Sequence, residues 1–173
     1  MVTRVPSYCP SCGHELTTVE REGRQRHRCP SCDRIVYRNP VPGAAVVVVD
    51  GDSVLLVQRR IDPGAGRWCD PGGHLEVDER PAVAAARELE EETGLGVDPE
   101  ELTLVDTLRM EPWGEKYVVT IGYAVERRET TGALSPGTDA TAARFVHRED
   151  LSTLEFAFDY VPGRLDRALA LFD

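Results

Sequence analysis

The sequence predicts an α/β (α+β) body in which one sheet is covered on both faces, preceded by a small four-cysteine ribbon. Three observations predict this. Two Cys-x-x-Cys knuckles stand at Cys9 to Cys12 and Cys29 to Cys32. Strand-like apolar runs and two helical patterns then follow in mixed order, which suits helices layered on a sheet. Charge is also divided: residues 1–40 hold 7 basic and 4 acidic groups, the other 133 hold 13 and 26. The expected boundaries are 1–38 for the ribbon and 39–173 for the body.

With 173 residues and 41% apolar content, the chain fits one domain plus an appendage. The net charge is −10, and Lys116 is the single lysine. Strong acidity with arginine in place of lysine resembles proteins of salt-rich cytoplasms, where charge preserves solubility. The Ala44 to Val49 apolar run is far short of the ~20 residues a membrane span needs. The expectation is a cytoplasmic protein with no membrane partner.

The cysteine spacing is that of a zinc ribbon, in which four thiolates at ~2.3 Å close a tetrahedron around Zn²⁺. Such a site has no open position and is structural. Two disulfides are the alternative, which suits a reducing cytoplasm poorly. His14 and His27 read as surface side chains. Arg21, Arg24, Arg26 and Arg28 make a basic hairpin. Nucleic-acid contact is one reading; a solvated ribbon fits better, since Glu15, Glu20 and Glu22 interrupt it and the body is acidic. Tyr37 to Pro42 reads as a proline-stiffened linker.

Ala44–Val49 and Ser53–Gln58 read as strands joined by the Asp50-Gly51-Asp52 turn. Trp68 reads as packing, and Cys69 as a buried inert thiol. A helix then follows the Gly72-Gly73 turn, with Asp78 as expected N-cap, Pro81 in the first turn and Gly94 as the stop. Ala82, Ala86, Leu89 and Thr93 form its expected packing stripe. Glu88, Glu91 and Glu92 cluster on the other side, because i, i+3 and i+4 positions are neighbours. Arg87 supplies one positive charge, so the cluster needs more cation. Carboxylate oxygens of this kind suit Mg²⁺ or Mn²⁺. The bland alternative is a solvated acidic helix face. Leu102–Leu108, Tyr117–Val125 and Ala143–Val146 read as further strands. Leu165, Ala168, Leu169 and Phe172 mark a closing amphipathic helix.

Gly73, five residues, Glu79, seven residues, Arg87-Glu88-Leu89, one residue, Glu91-Glu92, one residue, Gly94-Leu95 matches the Nudix box at all nine fixed positions. The chain therefore resembles Nudix hydrolases. That resemblance implies an α/β/α sandwich with a mixed sheet, and hydrolysis of a diphosphate joined to another group. It implies that Glu88, Glu91 and Glu92, with the Gly73 carbonyl, hold the divalent metal. It also implies that Arg87 braces Glu79, that Glu91, Glu92, Arg87 and Glu79 serve catalysis, and that Arg59 faces substrate. As half of an Arg59-Arg60 pair, Arg59 reads equally as solvated. A base is expected from downstream, at Glu126 or Asp139. Asp70 departs from the family pattern where an apolar residue usually stands, and Asp78 where glycine often does.

The ribbon followed by Tyr37-Arg38-Asn39-Pro40 looks like the zinc-ribbon branch that includes NADH pyrophosphatase. That branch carries Ser-Gln-Pro-Trp-Pro-Phe-Pro-x-Ser, of which Met110 to Lys116 keeps Pro112-Trp113 alone. Trp113 and Tyr117 are the aromatic residues expected to stack a base. The implied partner is a small nucleotide substrate, a nucleoside diphosphate conjugate such as ADP-ribose, FAD or NADH. A nucleotide-sensing regulator, its ribbon contacting nucleic acid or protein, is the alternative; three intact glutamates favour the enzyme. Homodimers are common among the proteins it resembles.

Overall fold

The computed structural model describes residues 5–112, 114–137 and 139–173. The chain forms two compact units: Met1–Val41 with Pro112–Tyr117, and Pro42–Glu111 with Val118–Asp173.

In the first unit, strands β1 (Thr17–Arg21), β2 (Arg24–Arg28) and β3 (Ile35–Val36) form an antiparallel sheet. The β1–β2 turn places Glu22 and Gly23 at φ 55° and 71°, the left-handed pair that matches strand twist in a two-residue hairpin. This is the basic hairpin expected from the sequence.

The second unit is built on a long central strand. β4 (Val41–Asp50) turns through Gly51, at φ 55°, into β5 (Ser53–Arg59). Val41 and Pro42 thus belong to a strand, where a linker was expected. After β6 (Trp68–Cys69) and β7 (Gly72–His74) come helix α1 (Pro81–Thr93) and β8 (Leu95–Val97). Then follow β9 (Thr103–Arg109), β10 (Val118–Glu126), β11 (Thr130–Gly132), β12 (Ala140–His147) and helix α2 (Val161–Leu169). The main sheet runs β12-β5-β4-β10-β9, with β6 on β5 and β7 on β4; β8 and β11 pair separately.

Alternation along the strands creates two cores. Ala44, Val46, Val48 and Leu55 meet Ala84, Ala85 and Leu89 of α1. Val47, Val49, Val54 and Leu56 meet Val161, Leu165, Ala168 and Leu169 of α2. A strand buried on both faces reads as a continuous apolar run, and the 46–49 valines do so. The result is the expected α/β/α sandwich with a mixed sheet.

Three expectations need correction. Asp78 does not cap α1: the N-cap is Arg80, extended at ψ 148°, and makes no side-chain cap bond. Pro81 explains this, since the residue before proline is forced out of the helical region and the helix cannot begin earlier. The buried residues of α1 are Ala84, Ala85, Ala86, Leu89 and Thr93, while Ala82 is half-buried. Glu88 and Glu92 therefore border the packing face instead of opposing it. Phe172 packs against the α2 core from beyond the helix end, at a turn. Among the described residues, no helix is long and apolar enough to cross a membrane.

Candidate active site

α1 presents its carboxylates to the strand–loop that precedes it. The helix stops at Gly94 (φ 71°), whose N–H bonds to Glu90 O at 2.8 Å. The loop at 133–137 satisfies other carbonyls of the last turn: Ser135 N–H donates to Thr93 O at 2.9 Å and Gly137 N–H to Glu92 O at 2.8 Å. The segment that carries Glu91 and Glu92 is thereby held at its end by a loop on which the sequence reading placed no strand or helix.

Arg87 is saturated by the site. Its Nε and Nη2 donate to the two oxygens of Glu79 at 2.7 and 3.0 Å, a bidentate pair. Nη2 also reaches His74 O at 3.0 Å, tying helix to loop. Nη1 bonds Glu88 at 2.9 Å and Glu91 at 3.1 Å, two contacts beyond the expected Glu79 brace. The Arg87 bond, with the Glu76 N–H, lowers the Glu79 carboxyl to about 2.

Glu92 has a different environment. Its Oε2 accepts the Gly72 N–H at 3.0 Å. Burial pushes its pKa up to about 7, aided by the charges of Glu88 and Asp139 and opposed by the Gly72 N–H and Arg59. Burial also raises Glu88, against the pull of Arg87. Glu88 lies 14% exposed and Glu91 58%. Two partly buried carboxylates that resist ionising are short of cation, which is the electrostatic character of a divalent-metal site. The glycine loop adds a second sign of fit. A β-carbon at Gly73 would fall 2.3 Å from Glu88 Oε1, so the backbone approaches that carboxylate as no other residue type allows. Oxygen donors and an excess of negative charge suit Mg²⁺ or Mn²⁺.

The candidates outside the box separate. Arg59 is half-buried, with Nε bonded to Pro63 O at 2.6 Å and its guanidinium 5.4 Å over the Phe158 ring; its charge reaches Glu92. Asp139 is also within electrostatic reach of Glu92. Glu126 is instead paired with Arg128 at the end of β10. Tyr117 lies in the cysteine unit, its ring under the Arg38 guanidinium at 5.1 Å. Trp113 lies outside the described residues. Trp68 packs as expected, with Arg144 4.7 Å over its ring, and Cys69 is buried with its thiol pushed up to about 12 by that burial.

Sequence reasoning missed a polar network beneath the site. Arg164 of α2 is wholly buried, and its Nη1 meets Asp70 Oδ2 at 2.9 Å. Nε and Nη2 reach Asp106 Oδ1 at 3.0 and 2.9 Å, and Nη2 donates to Thr120 Oγ1 at 3.2 Å. The signal was present: Val161, Arg164, Leu165 and Ala168 share one helix face at i, i+3, i+4 and i+7.

In the first unit the four cysteine sulfurs gather with all donor atoms within 4.8 Å of one another. Cys9–Cys32, Cys12–Cys29 and Cys12–Cys32 lie 3.6, 3.4 and 3.8 Å apart, and all are free thiols. Thiolates placed ~2.3 Å from a tetrahedral centre stand about 3.8 Å apart, so this geometry suits zinc. Gly13 (φ 73°) and Asp33 (φ 56°) turn the chain just after each second cysteine. The Ser11 N–H, above all, lowers Cys9 to about 6 and the Cys32 N–H lowers Cys29, whereas the bond to the Cys29 sulfur raises Cys12 and pushes Cys32 up to about 12, so in the metal-free cluster the four sulfurs share protons.

The NUDIX domain family model matches residues 39–166. The chain belongs to the NUDIX family. Phosphatase NudJ of Escherichia coli K12 is 31% identical over 119 residues, covering 67% of this chain and 73% of that protein. The NUDIX hydrolase from Nitrosomonas europaea superposes with a TM-score of 0.77 at 24% identity, over 95% of this chain and 91% of that one. The NUDIX domain of Shewanella oneidensis NrtR, complexed with ADP ribose, gives 0.69 at 19% identity, over 79% and 91%. At those identities the two structures support the fold. As a NUDIX protein with hydrolases for relatives, the chain is a Nudix hydrolase.

Proposed function

We propose that the protein is a cytoplasmic, Mg²⁺- or Mn²⁺-dependent pyrophosphohydrolase that cleaves the diphosphate of a nucleoside diphosphate conjugate of the ADP-ribose, FAD or NADH type. A structural zinc ribbon over 1–38 precedes the hydrolase domain over 39–173. One observation carries the reading: Glu88 and Glu92, partly buried and short of cation, converge on the Gly72-Gly73 loop from a helix braced by Arg87.

Glu88, Glu91, Glu92 and the Gly73 carbonyl would hold the divalent ions. Those ions supply charge neutralisation at the diphosphate oxygens and activation of water. The rest falls to the chain. Arg87 and Glu79 keep α1 and its preceding loop in register, while the Gly72 N–H aims the Glu92 carboxylate. Asp139 is assigned as the base that takes the proton as water adds to phosphorus and the anhydride P–O bond breaks; its charge acts on Glu92, which supports the assignment, and each product leaves as a phosphate monoester. Arg59 faces the same charges and is assigned to the substrate phosphates. Trp113 and Tyr117 are assigned to the group beyond the diphosphate. The ADP ribose held by the NrtR domain supports the conjugate class, and the intact glutamate set supports catalysis over sensing.

The test is a panel of ADP-ribose, FAD, NADH and nucleoside triphosphates, with Mg²⁺ and Mn²⁺ at low and high salt, followed by product analysis. Two monophosphate products from a conjugate are expected. Preference for triphosphates over every conjugate would overturn the reading.

A further inference from the structure

Asp70, Arg164, Asp106 and Arg167 form a chain of ion pairs across the α2 side of the sheet. Arg167 Nη2 meets Asp106 Oδ2 at 2.6 Å, and Arg164 joins Asp106 to Asp70. The Tyr160 ring closes over the Arg164 guanidinium at 4.6 Å. β10 makes room for it: a β-carbon at Gly122 would lie 2.4 Å from Arg164 Nε. A socket shaped around one guanidinium is unusual, because a buried ion pair rarely stabilises more than well-packed apolar side chains would. Fold stability alone therefore does not account for it.

What the pair does hold is a place in the chain. Asp70 immediately precedes Pro71, whose carbonyl accepts the Val46 N–H at 3.0 Å, and Gly72, whose N–H holds Glu92 at 3.0 Å. Gly72 itself lies hard against β4: a β-carbon there would fall 2.5 Å from the Ala45 β-carbon. The Asp70-Pro71-Gly72 turn is thus pinned at three successive residues, by α2, by β4 and by α1. Asp70 Oδ2 takes Arg164, while Oδ1 is buried without a hydrogen-bond partner. Among the described residues, Arg164 is the one side-chain group that bonds the Asp70 carboxylate.

We propose that Arg164 and Asp70 are positioning residues, which fix the glycine turn so that the Gly72 N–H and the Gly73 carbonyl meet the α1 glutamates in metal-binding register. α2, far along the chain from the box, sets the geometry of the box. This rests on the glutamates being the divalent-ion ligands.

The experiment compares Mn²⁺ binding, measured by electron paramagnetic resonance of free Mn²⁺, with thermal melting and steady-state kinetics. The key variant is Asp70→Leu with Arg164→Met, which removes a balanced charge pair and leaves Asp106 to Arg167. It should melt at or above the wild-type temperature, yet bind Mn²⁺ about tenfold more weakly and lose about tenfold in kcat with KM little changed. Arg164→Lys, which keeps charge but not the fork, should fall between. If the double variant does not fold, Asp70→Asn supplies the same readouts in an isosteric side chain. Wild-type Mn²⁺ affinity and kcat in whichever variant folds would overturn the proposal. Wild-type protein that binds no Mn²⁺ would instead overturn the metal-site reading beneath it.

Discussion

Gly73 and Glu88 approach so closely that a β-carbon on the glycine would stand 2.3 Å from Glu88 Oε1 and 2.4 Å from its carboxyl carbon. The obstacle is the far end of a flexible side chain, so the fold can yield where the site cannot. Gly73→Ala should therefore shift the melting temperature by a few degrees at most while displacing Glu88. Turnover should drop at least about tenfold, roughly 1.4 kcal/mol of barrier, and Mn²⁺ titration should show weaker binding. Full turnover in the folded variant would refute the proposed role of this approach.

Glu92→Gln keeps the shape of the side chain and removes its charge. Activity should fall by at least about tenfold with an unchanged circular dichroism spectrum. The pH dependence carries a second prediction. Folded Glu92 titrates at about 7, against 4.5 for an ordinary glutamate. Its pKa is raised on folding, so the native state holds the extra proton, and stability falls as pH rises from 4.5 through 7. Metal-free wild type should lose melting temperature over that window, and Glu92→Gln should lose less. Parallel melting curves for the two proteins would contradict the assigned burial.

The two candidate bases can be told apart. Asp139 lies in the field of Glu92, whereas Glu126 is engaged by Arg128. Asp139→Asn should lower kcat about tenfold or more, within the range of general-base contributions. Glu126→Gln should leave kcat nearly unchanged. The reverse order of effects would move the base to β10.

Zinc should be present at one atom per chain, as elemental analysis of protein purified without chelators will show. Cys29→Ser removes a wholly buried thiol that is already biased toward thiolate. It should release the metal and lower the melting temperature of the first unit, since structural zinc contributes folding energy directly. Zinc-free wild-type protein would refute the ribbon.

Much of this was legible because it depends on local pattern. Periodicity placed α1 and α2, and the Asp50-Gly51-Asp52 turn placed the β4–β5 hairpin. Helical spacing put Arg87 one turn before Glu91, and the resemblance implied its brace on Glu79. What escaped depends on partners distant in sequence. β8 and β11 are three residues each and exist by pairing with one another across the chain, so neither carries an alternation of its own. Arg164 sits at a position its helix dictates to be buried, but its partner Asp70 lies 94 residues away. Asp70 departs from the family pattern before the glycine turn, but nothing near it in sequence names its counter-ion. Asp78 misled because a good capping residue lost to the backbone demand of Pro81.

β4 is paired at Gly43, Ala44 and Ala45 with His74, Gly73 and Gly72, while its valines fill both cores. The glycine turn therefore has no independent route to open: peeling it away exposes the strand on which global folding depends. Amide hydrogens at Ala45 and Val46 should exchange only through whole-molecule unfolding, on the slowest timescale in the protein. A substitution in the turn should then carry two penalties, one at the glutamates it holds and one in the survival of the folded chain.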